Sequence, residues 1–184
     1  MKKEIIIVTI SLGNDGAERI LTELARQWVH DGHHITVIQT SPNCYGNEYA
    51  LENGIEQIEI HTTSSNKVIR FMQEIKELIK ILKTRPNATC LSFLSASSFI
   101  LAISSWFVKN RIVFSERNNP RKVPIGWHQQ ALRNFAFRFA DALVFQTEDA
   151  RSYFPESVQK RGVIIPNPIN GKLPPPIEGE REKT

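Results

Sequence analysis

A dense group of polar residues follows a predicted buried strand near residue 115. Its members are Ser115, Glu116, Arg117, Asn118, Asn119, Pro120 and Arg121. An arginine guanidinium presents a fork that matches a phosphate or a carboxylate, and an asparagine amide can bind sugar hydroxyls. The same residue types also suit a surface turn closed by a Glu–Arg pair. The group therefore predicts either a site for anionic and hydroxylated ligands or an ordinary turn.

A second candidate site is the loop between the first predicted strand and the first predicted helix. Such a loop gathers free backbone N–H groups at the positive end of the helix dipole, so it can hold an anion. We expect the backbone of four residues to face that ligand: Gly13, Asn14, Gly16 and Ala17. Asp15 is a favoured N-cap residue, so a capped turn without a ligand is the alternative.

Ligands of open α/β sheets bind outside the carboxyl ends of the strands. Three segments are predicted to lie there: the two described above and Ser92–Ser95, which follows the fourth predicted strand. Ser95 is therefore a further candidate binding residue. Cys44 and Cys90 are too few for a disulfide framework and lack the spacing of a metal site, so the sequence predicts no metal centre.

The elements that would position these segments alternate regularly along the chain. Predicted strands are Glu4–Ile10, Ile35–Thr40, Gln57–Ile60, Thr89–Phe93, Arg111–Ser115, Ala142–Gln146 and Val163–Ile165. Predicted helices are Ala17–Val29, Val68–Leu82, Ser97–Lys109, Gly126–Phe139 and a short helix from Glu148. Strands that are apolar on both faces are typical of a parallel sheet covered by helices. The pattern predicts an α/β fold with a Rossmann-like, doubly wound, mainly parallel sheet of six or seven strands.

The length and composition indicate one globular domain with a tail. We expect the domain to span residues 1–165 of the 184, and residues 166–184, rich in proline and charge, to form a linker towards a further C-terminal domain. A net charge of +4 suits anionic small molecules or an anionic membrane surface and does not indicate nucleic acid. Without a secretory signal or a spanning segment, we expect a cytoplasmic protein, peripheral on the inner face of the membrane.

Two amphipathic stretches could contact that membrane. Lys67–Arg85 mixes basic residues with an apolar stripe, and Gly126–Phe139 mixes aromatic residues with arginines. Both compositions suit peripheral attachment to anionic lipid. The alternative is that both apolar stripes face the core and the basic residues are solvated.

Four blocks of the sequence, taken in order, resemble retaining glycosyltransferases of family four. The blocks are S-L-G-N-D-G-A-E-R from Ser11 with G-H-H-I-T from Gly32, S-E-R-N-N-P from Ser115, V-F-Q-T-E-D-A from Val144 and V-I-I-P-N-P-I from Val163. The chain departs from the family pattern at Asp15, where a glycine is usual. It departs again at Ser115 and Glu116, where many relatives have a histidine.

The resemblance implies that this chain is the N-terminal, acceptor-side domain of a glycosyltransferase with the two-domain GT-B architecture. The whole enzyme would transfer a sugar from a nucleotide diphosphate sugar to a glycan or lipid-linked acceptor, in surface polysaccharide or glycolipid biosynthesis. No cofactor beyond the donor is implied, and the fragment alone is expected to be inactive. The implied roles are donor-phosphate binding by Gly13, Asn14, Gly16 and Ala17, catalysis by Glu116 and Arg117, and acceptor binding by Ser95, Ser115, Asn118 and Asn119.

Two other functions fit parts of the sequence. A dinucleotide-binding domain needs G-x-G-x-x-G and an acidic residue at the end of the second strand. The chain instead has G-x-x-G, and Gln39 and Thr40 at that strand end, which argues against this class. A non-catalytic anion-binding or interaction module with a Rossmann-like fold remains an open alternative.

Overall fold

A single parallel sheet organises the molecule. The structure is a computed structural model that describes residues 2–13, 16–42, 51–93, 96–117, 121 and 126–167. Within them, seven strands, all parallel, lie in the order β3-β2-β1-β4-β5-β6-β7. The strands are β1 Glu4–Thr9, β2 His34–Gln39, β3 Ile55–Glu59, β4 Thr89–Phe93, β5 Arg111–Glu116, β6 Ala142–Phe145 and β7 Gly162–Ile164. This arrangement confirms the predicted fold class and strand number.

Helices connect the strands and cover both faces of the sheet. They are α1 Gly16–His30, α2 Lys67–Lys83, α3 Ala96–Ser104, α4 Trp127–Arg138, α5 Glu148–Ser152 and α6 Glu156–Gln159, with a 3-10 turn at Ser105–Phe107. On one face, Ile20, Leu21 and Ala25 of α1 pack against Ile7 and Val37. On the other face, a larger core joins the sheet to α2, α3 and α4, with contributions that include Ile6, Val8, Leu78, Leu101 and Phe137.

Local sequence signals explain where the best-defined helices begin and end. A glycine follows the end of α1: Gly32 has φ 83°, a conformation that glycine adopts without strain. Asn66 caps α2, since its Oδ1 accepts from the N–H groups of Val68 at 2.9 Å and Ile69 at 3.3 Å. A close approach fixes Gly162, where any Cβ would lie 2.5 Å from the Phe145 ring.

The structure shortens one predicted helix and adds another. The helix predicted to reach Lys109 ends at Ser104 and tightens into the 3-10 turn, in which Trp106 and Phe107 are exposed. A second short helix follows Pro155, because proline ends α5 yet suits the start of α6. None of the described helices is long and apolar enough to cross a bilayer. The predicted linker lies outside the described residues from position 168 onwards.

Candidate functional site

The candidate site lies along the carboxyl edge of the sheet. β1 lies between β2 and β4, so the connection after β1 leads to one side of the sheet and the connection after β4 leads to the other. In a doubly wound sheet, this switch point opens a crevice outside the carboxyl ends of the strands. The segments after β1, β4, β5 and β6 all reach this edge, so the sheet brings together the polar groups that are far apart in sequence.

Arg117 is the best-defined functional candidate at this edge. Its Nη2 donates to Oδ1 of Asn167, and the same oxygen accepts from Nε2 of Gln146 at 3.3 Å. The Arg117 Cζ atom lies 4.9 Å from the centroid of the Phe93 ring, a cation–π contact. Burial lowers the pKa of Arg117, but an arginine remains protonated at neutral pH. A fixed, half-buried cation therefore stands at the end of β5.

Asn167 and Gln146 are functional candidates that sequence reasoning missed. Both belong to blocks that resemble the family, but their side chains gave no chemical signal of their own. In the structure, three of these blocks meet at one atom, Oδ1 of Asn167, which accepts hydrogen bonds from Arg117 and Gln146. Their order along the chain could not show this contact, which depends on the neighbouring positions of β5, β6 and β7.

Glu116 faces the interior rather than the edge of the sheet. It is 4% exposed, and its Oε2 lies 3.5 Å from Nη1 of Arg133, which is 6% exposed. The Arg133 guanidinium also stacks over Phe154, with 4.7 Å from Cζ to the ring centroid. Burial of both charges favours a positioning role for Glu116, in which it joins β5 to α4. Direct catalysis by Glu116 remains a prediction.

Serine hydroxyls line the inner part of the same edge. Ser115 is 2% exposed, and its Oγ has no hydrogen-bond partner among the described residues. On β4, the Ser92 Oγ lies 3.1 Å from Ser97 Oγ and 3.0 Å from Ser98 Oγ. These buried serines tie the end of β4 to the start of α3. Of these four serines in the described part of the chain, Ser115 retains an unused hydroxyl, so it remains a candidate for binding.

The first loop combines a buried half with an exposed half. Leu12 N donates to Oε1 of Gln39 at 3.0 Å, which fixes the loop to the end of β2. Gly13 is buried, whereas Gly16 is exposed, and a Cβ added to Gly16 would meet no described atom within 4 Å. Ala17 packs at the edge of the α1 core. Open space above Gly16 leaves the start of α1 accessible to an anion.

The remaining predicted binding residues are Asn14, Ser95, Asn118 and Asn119. All of them lie outside the described residues, so their roles stay predictions. Cys44 lies outside them as well. Cys90 is buried, and burial raises the pKa of its thiol to about 12. A thiol with such a pKa stays protonated and unreactive at neutral pH.

The two stretches predicted to contact a membrane differ in exposure. In α4, Phe137 is completely buried, while Phe135 and Phe139 stack on Trp106 with ring centroids 6.0 and 5.3 Å away. Most aromatic rings of α4 therefore contribute to packing, as the core alternative predicted. In α2, the buried side matches the predicted stripe, but the first two turns expose three apolar side chains, at Val68, Ile69 and Met72.

Solved structures with the same fold are about twice as long as this chain. The apo form of the lipopolysaccharide outer core galactosyltransferase WaaB matches with a TM-score of 0.72 and 13% identity, over 98% of this chain and 50% of its own. The Anabaena protein HepE in complex with UDP-glucose matches at 0.61 and 14%, over 91% and 44%. UDP-N-acetylglucosamine 2-epimerase from Rickettsia bellii matches at 0.58 and 18%, over 86% and 44%.

These structural matches define the fold and not the reaction, because transferases and epimerases share it at low identity. No curated protein sequence matches the chain. The model of the family described as Glycosyltransferase Family 4 matches residues 14–172. That match covers most of the chain and includes the first loop from Asn14 onwards, the segment around Arg117, and Asn167. The chain therefore belongs to glycosyltransferase family 4.

Proposed function

We propose that this chain is the acceptor-side half of a retaining glycosyltransferase with GT-B architecture. The whole protein transfers a sugar from a nucleotide diphosphate sugar to a glycan or lipid-linked acceptor, in the synthesis of surface polysaccharide or glycolipid. The observation that carries this proposal is the family match across residues 14–172, which includes both candidate segments at the carboxyl edge. The chain's coverage of half of the similar solved structures supports a second, donor-binding domain.

In this proposal, Arg117 holds an anionic or hydroxyl-rich part of the acceptor. Its guanidinium has a fixed orientation because Phe93 supports one face and Asn167 accepts one of its N–H groups. The other N–H groups can bind a ligand, and no described carboxylate lies within ion-pair distance. Preorganised charge of this kind stabilises a transition state more effectively than a mobile side chain does. Glu116 and Arg133 hold β5 and α4 in place behind it.

The start of α1 serves the donor in this proposal. The helix is 15 residues long, so its first turn presents a substantial positive partial charge and free N–H groups. The diphosphate of the donor develops negative charge as the sugar leaves. Placing the exposed Gly16 against this diphosphate when the two domains close would stabilise the leaving group without a metal ion.

We propose that the protein also attaches to anionic membrane from its cytoplasmic side, through α2. Val68, Ile69 and Met72 are 71%, 51% and 59% exposed, and Lys67 and Lys76 flank them. An apolar patch within a basic helix suits the interface of an anionic bilayer. Vesicle sedimentation should show binding that weakens as salt rises. Absence of binding at low salt would contradict this part of the proposal.

The decisive experiment compares two lengths of the protein. A coupled transfer assay with candidate nucleotide sugars is run on the 184-residue chain and on a version extended through the proposed second domain. We expect transfer only by the extended version, because the donor pocket lies mainly in that domain. Transfer by the short chain would contradict the proposed division of labour. Anion binding without transfer by either version would favour the non-catalytic alternative.

A graded pair of variants tests the donor loop in the extended protein. A Cβ at Gly16 meets no described atom within 4 Å, so Gly16→Ala and Gly16→Val should both fold normally. Their side chains would nevertheless occupy the space proposed for the diphosphate. We expect turnover to fall with side-chain size, by on the order of a hundredfold for valine, the scale seen when an oxyanion-binding donor is lost. Full activity of Gly16→Val would exclude the donor role.

A further inference from the structure

A small polar pocket lies at the carboxyl edge on the side of the sheet away from Arg117. It has a volume of about 310 Å³ and sits where β2 and β3 end and α2 begins. We call this cavity the α2 pocket. Its lining residues are Thr40, Ser41, Pro42, Ile60, His61, Thr62, Ser64 and Arg70. β2 and β3 lie at one end of the strand order and β5 lies beyond β4 on the other side of β1, so this pocket is separate from the Arg117 cluster.

Two polar side chains of this pocket lack the partner that buried groups usually have among the described residues: Thr40 lacks a hydrogen bond and Arg70 lacks an ion pair. Thr40 is 2% exposed, and its side-chain hydroxyl makes no hydrogen bond within the described residues. Arg70 is half-buried, and no described carboxylate lies within ion-pair distance of it, although its charge acts on Glu74. A hydroxyl and a guanidinium that share one pocket are groups that can donate hydrogen bonds to an oxyanion.

The start of α2 has an unusual charge pattern. Helices are stabilised by acidic residues in their first turn, but α2 has none there and carries Lys67 and Arg70 instead. Positive side chains at the positive end of a helix dipole are repelled by it, which destabilises the start of the helix. An anion bound in the α2 pocket would offset this repulsion.

Glu74 is a carboxylate beside the pocket that could oppose such an anion. It is 6% exposed, and its Oε1 accepts a hydrogen bond from the Ser41 Oγ at 3.0 Å. Burial raises its pKa, which favours the neutral form and weakens its repulsion of an anion. His61 lies on the pocket wall, with its Nε2 3.4 Å from Oε2 of Glu59, and is mostly exposed. Solvent therefore screens the charge of Glu59 from the pocket.

We propose that the α2 pocket binds a phosphate or carboxylate group of the acceptor substrate, with Arg70 and Thr40 as its ligands. The volume admits one such group together with part of a sugar ring. Assigning this oxyanion to the acceptor rests on the proposed function, whereas oxyanion binding by the pocket does not. An acceptor held here and at Arg117 would be anchored at both ends of the carboxyl edge.

The test is a titration of the 184-residue chain with inorganic phosphate, followed by amide chemical shifts. We expect saturable shifts at Ser64 and Arg70 in wild type and at least a tenfold weaker affinity in Arg70→Gln. Thr40→Val, which keeps the side-chain shape, should weaken binding several-fold. Lys109→Gln removes an exposed charge just before β5, outside α2, and should leave the affinity unchanged. Thermal unfolding of each variant verifies that it is folded.

Two outcomes would overturn the pocket. One is the absence of saturable shifts in wild type, and the other is equal weakening by Arg70→Gln and Lys109→Gln, which would mean nonspecific attraction. Two further titrations identify the source of the oxyanion. One uses free glucuronate or pyrophosphate, and the other uses vesicles that contain phosphatidylglycerol. Preference for the free compounds that is lost in Arg70→Gln supports an acceptor group. Binding to vesicles alone would instead assign the pocket to a lipid headgroup and overturn the acceptor assignment.

Transfer assays on the extended protein keep this inference distinct from the proposed function. Phosphate binding through Arg70 in a protein that transfers no sugar would contradict the proposed function and leave the pocket intact. Transfer whose KM for the acceptor is unchanged in Arg70→Gln, with the KM for the donor also unchanged, would overturn the acceptor assignment and leave the proposed function intact.

Discussion

The amino and carboxyl edges of the sheet hold similar polar residues that differ in whether they are paired. At the amino edge, Arg85 donates to Glu56 Oε1 at 2.7 Å and to the Thr36 hydroxyl, and lies 3.8 Å from Glu4. Thr36 in turn donates to Glu56 at 3.0 Å. This cluster borders a cavity of about 510 Å³, larger than the α2 pocket. Arg85 is nevertheless already paired with Glu56 and Glu4, so the cation at the larger cavity is not available to a ligand.

Other side chains at the amino edge also complete backbone hydrogen bonds. Asn110 Nδ2 donates to the carbonyl oxygens of Arg85 at 2.7 Å and Ala88 at 3.1 Å. Asp141 Oδ2 accepts from the Ile112 N–H at 2.7 Å. Each contact joins a loop to the start of a strand. The amino edge therefore uses its polar groups for stability.

The carboxyl edge leaves comparable groups available. Within the described part of the chain, Arg117 and Arg70 have no carboxylate within ion-pair distance, and the Ser115 Oγ and the Gln39 Nε2 have no hydrogen-bond partner. Unsatisfied polar groups cost stability and persist where a ligand or a reaction uses them. Asn110 Oδ1 also lacks a partner at the amino edge, so the difference between the edges lies in their partly buried arginines: Arg85 is ion-paired, whereas Arg117 and Arg70 are not, among the described residues.

The largest expected effect concerns the closed ion pair between Glu116 and Arg133 at the carboxyl edge. Glu116→Ala leaves the buried Arg133 without this partner, which should lower the free energy of unfolding by about 3–5 kcal/mol. Urea unfolding of the 184-residue chain measures this change. Glu77→Ala removes an exposed partner of Lys80 and should cost less than about 0.5 kcal/mol. Equal, small effects would show that Glu116 does not support the fold and would favour a direct role in the reaction.

Arg117→Lys should have the next largest effect, on activity rather than stability. Lysine keeps the charge but loses the planar fork and the stacking on Phe93. In the extended protein, kcat/KM for the acceptor should fall about ten- to a hundredfold, or about 1.4–2.7 kcal/mol of transition-state stabilisation. Arg151→Lys, in an exposed pair with Glu148, is the control. Unchanged kinetics would support the ordinary turn as the role of the segment.

At the amino edge, Arg85→Gln should reduce stability and leave the kinetics of folded protein unchanged. It breaks charged hydrogen bonds that are partly exposed, so we expect a loss of about 1 kcal/mol at neutral pH. The hydrogen bond from Arg85 lowers the pKa of Glu56. The stability from this pair is therefore present above the unfolded-state pKa and is lost as pH falls through the folded-state pKa. The difference between variant and wild type should shrink in acid, and a difference that grew would exclude this pairing.

Local patterns in the sequence predicted most of the fold, because strand apolarity, the helical stripe of α1 and the stop at Gly32 depend on neighbouring residues. The candidate site was only partly predictable. Composition identified Arg117, but its contact with Asn167 joins residues 50 positions apart. The burial of Glu116 depends on Arg133 in the following helix, which no spacing rule connects to it. The α2 pocket was missed because Thr40 and Arg70 are common residue types that meet only in the folded chain.

The smallest expected effect compares Glu74 at the carboxyl edge with Glu56 at the amino edge. Burial raises the pKa of Glu74, the opposite direction to that of Glu56, because no arginine lies within ion-pair distance of Glu74 among the described residues. A raised folded-state pKa contributes stability that is present below the unfolded-state pKa and is lost as pH rises through the folded-state pKa. Wild type therefore loses this contribution progressively as pH rises. Glu74→Gln stays neutral at every pH, and its amide oxygen can still accept the hydrogen bond from Ser41.

We therefore expect the Tm of Glu74→Gln to exceed that of wild type by about 1–3 °C at about pH 7–8, equivalent to less than about 1 kcal/mol. In acid, below the unfolded-state pKa, the two Tm values should match. Thermal unfolding across this pH range is the measurement, with Glu77→Gln as the exposed control on the same helix. A lower Tm in mild alkali would mean that Glu74 is held as a carboxylate by Arg70, and the two edges would then differ less than the contacts indicate.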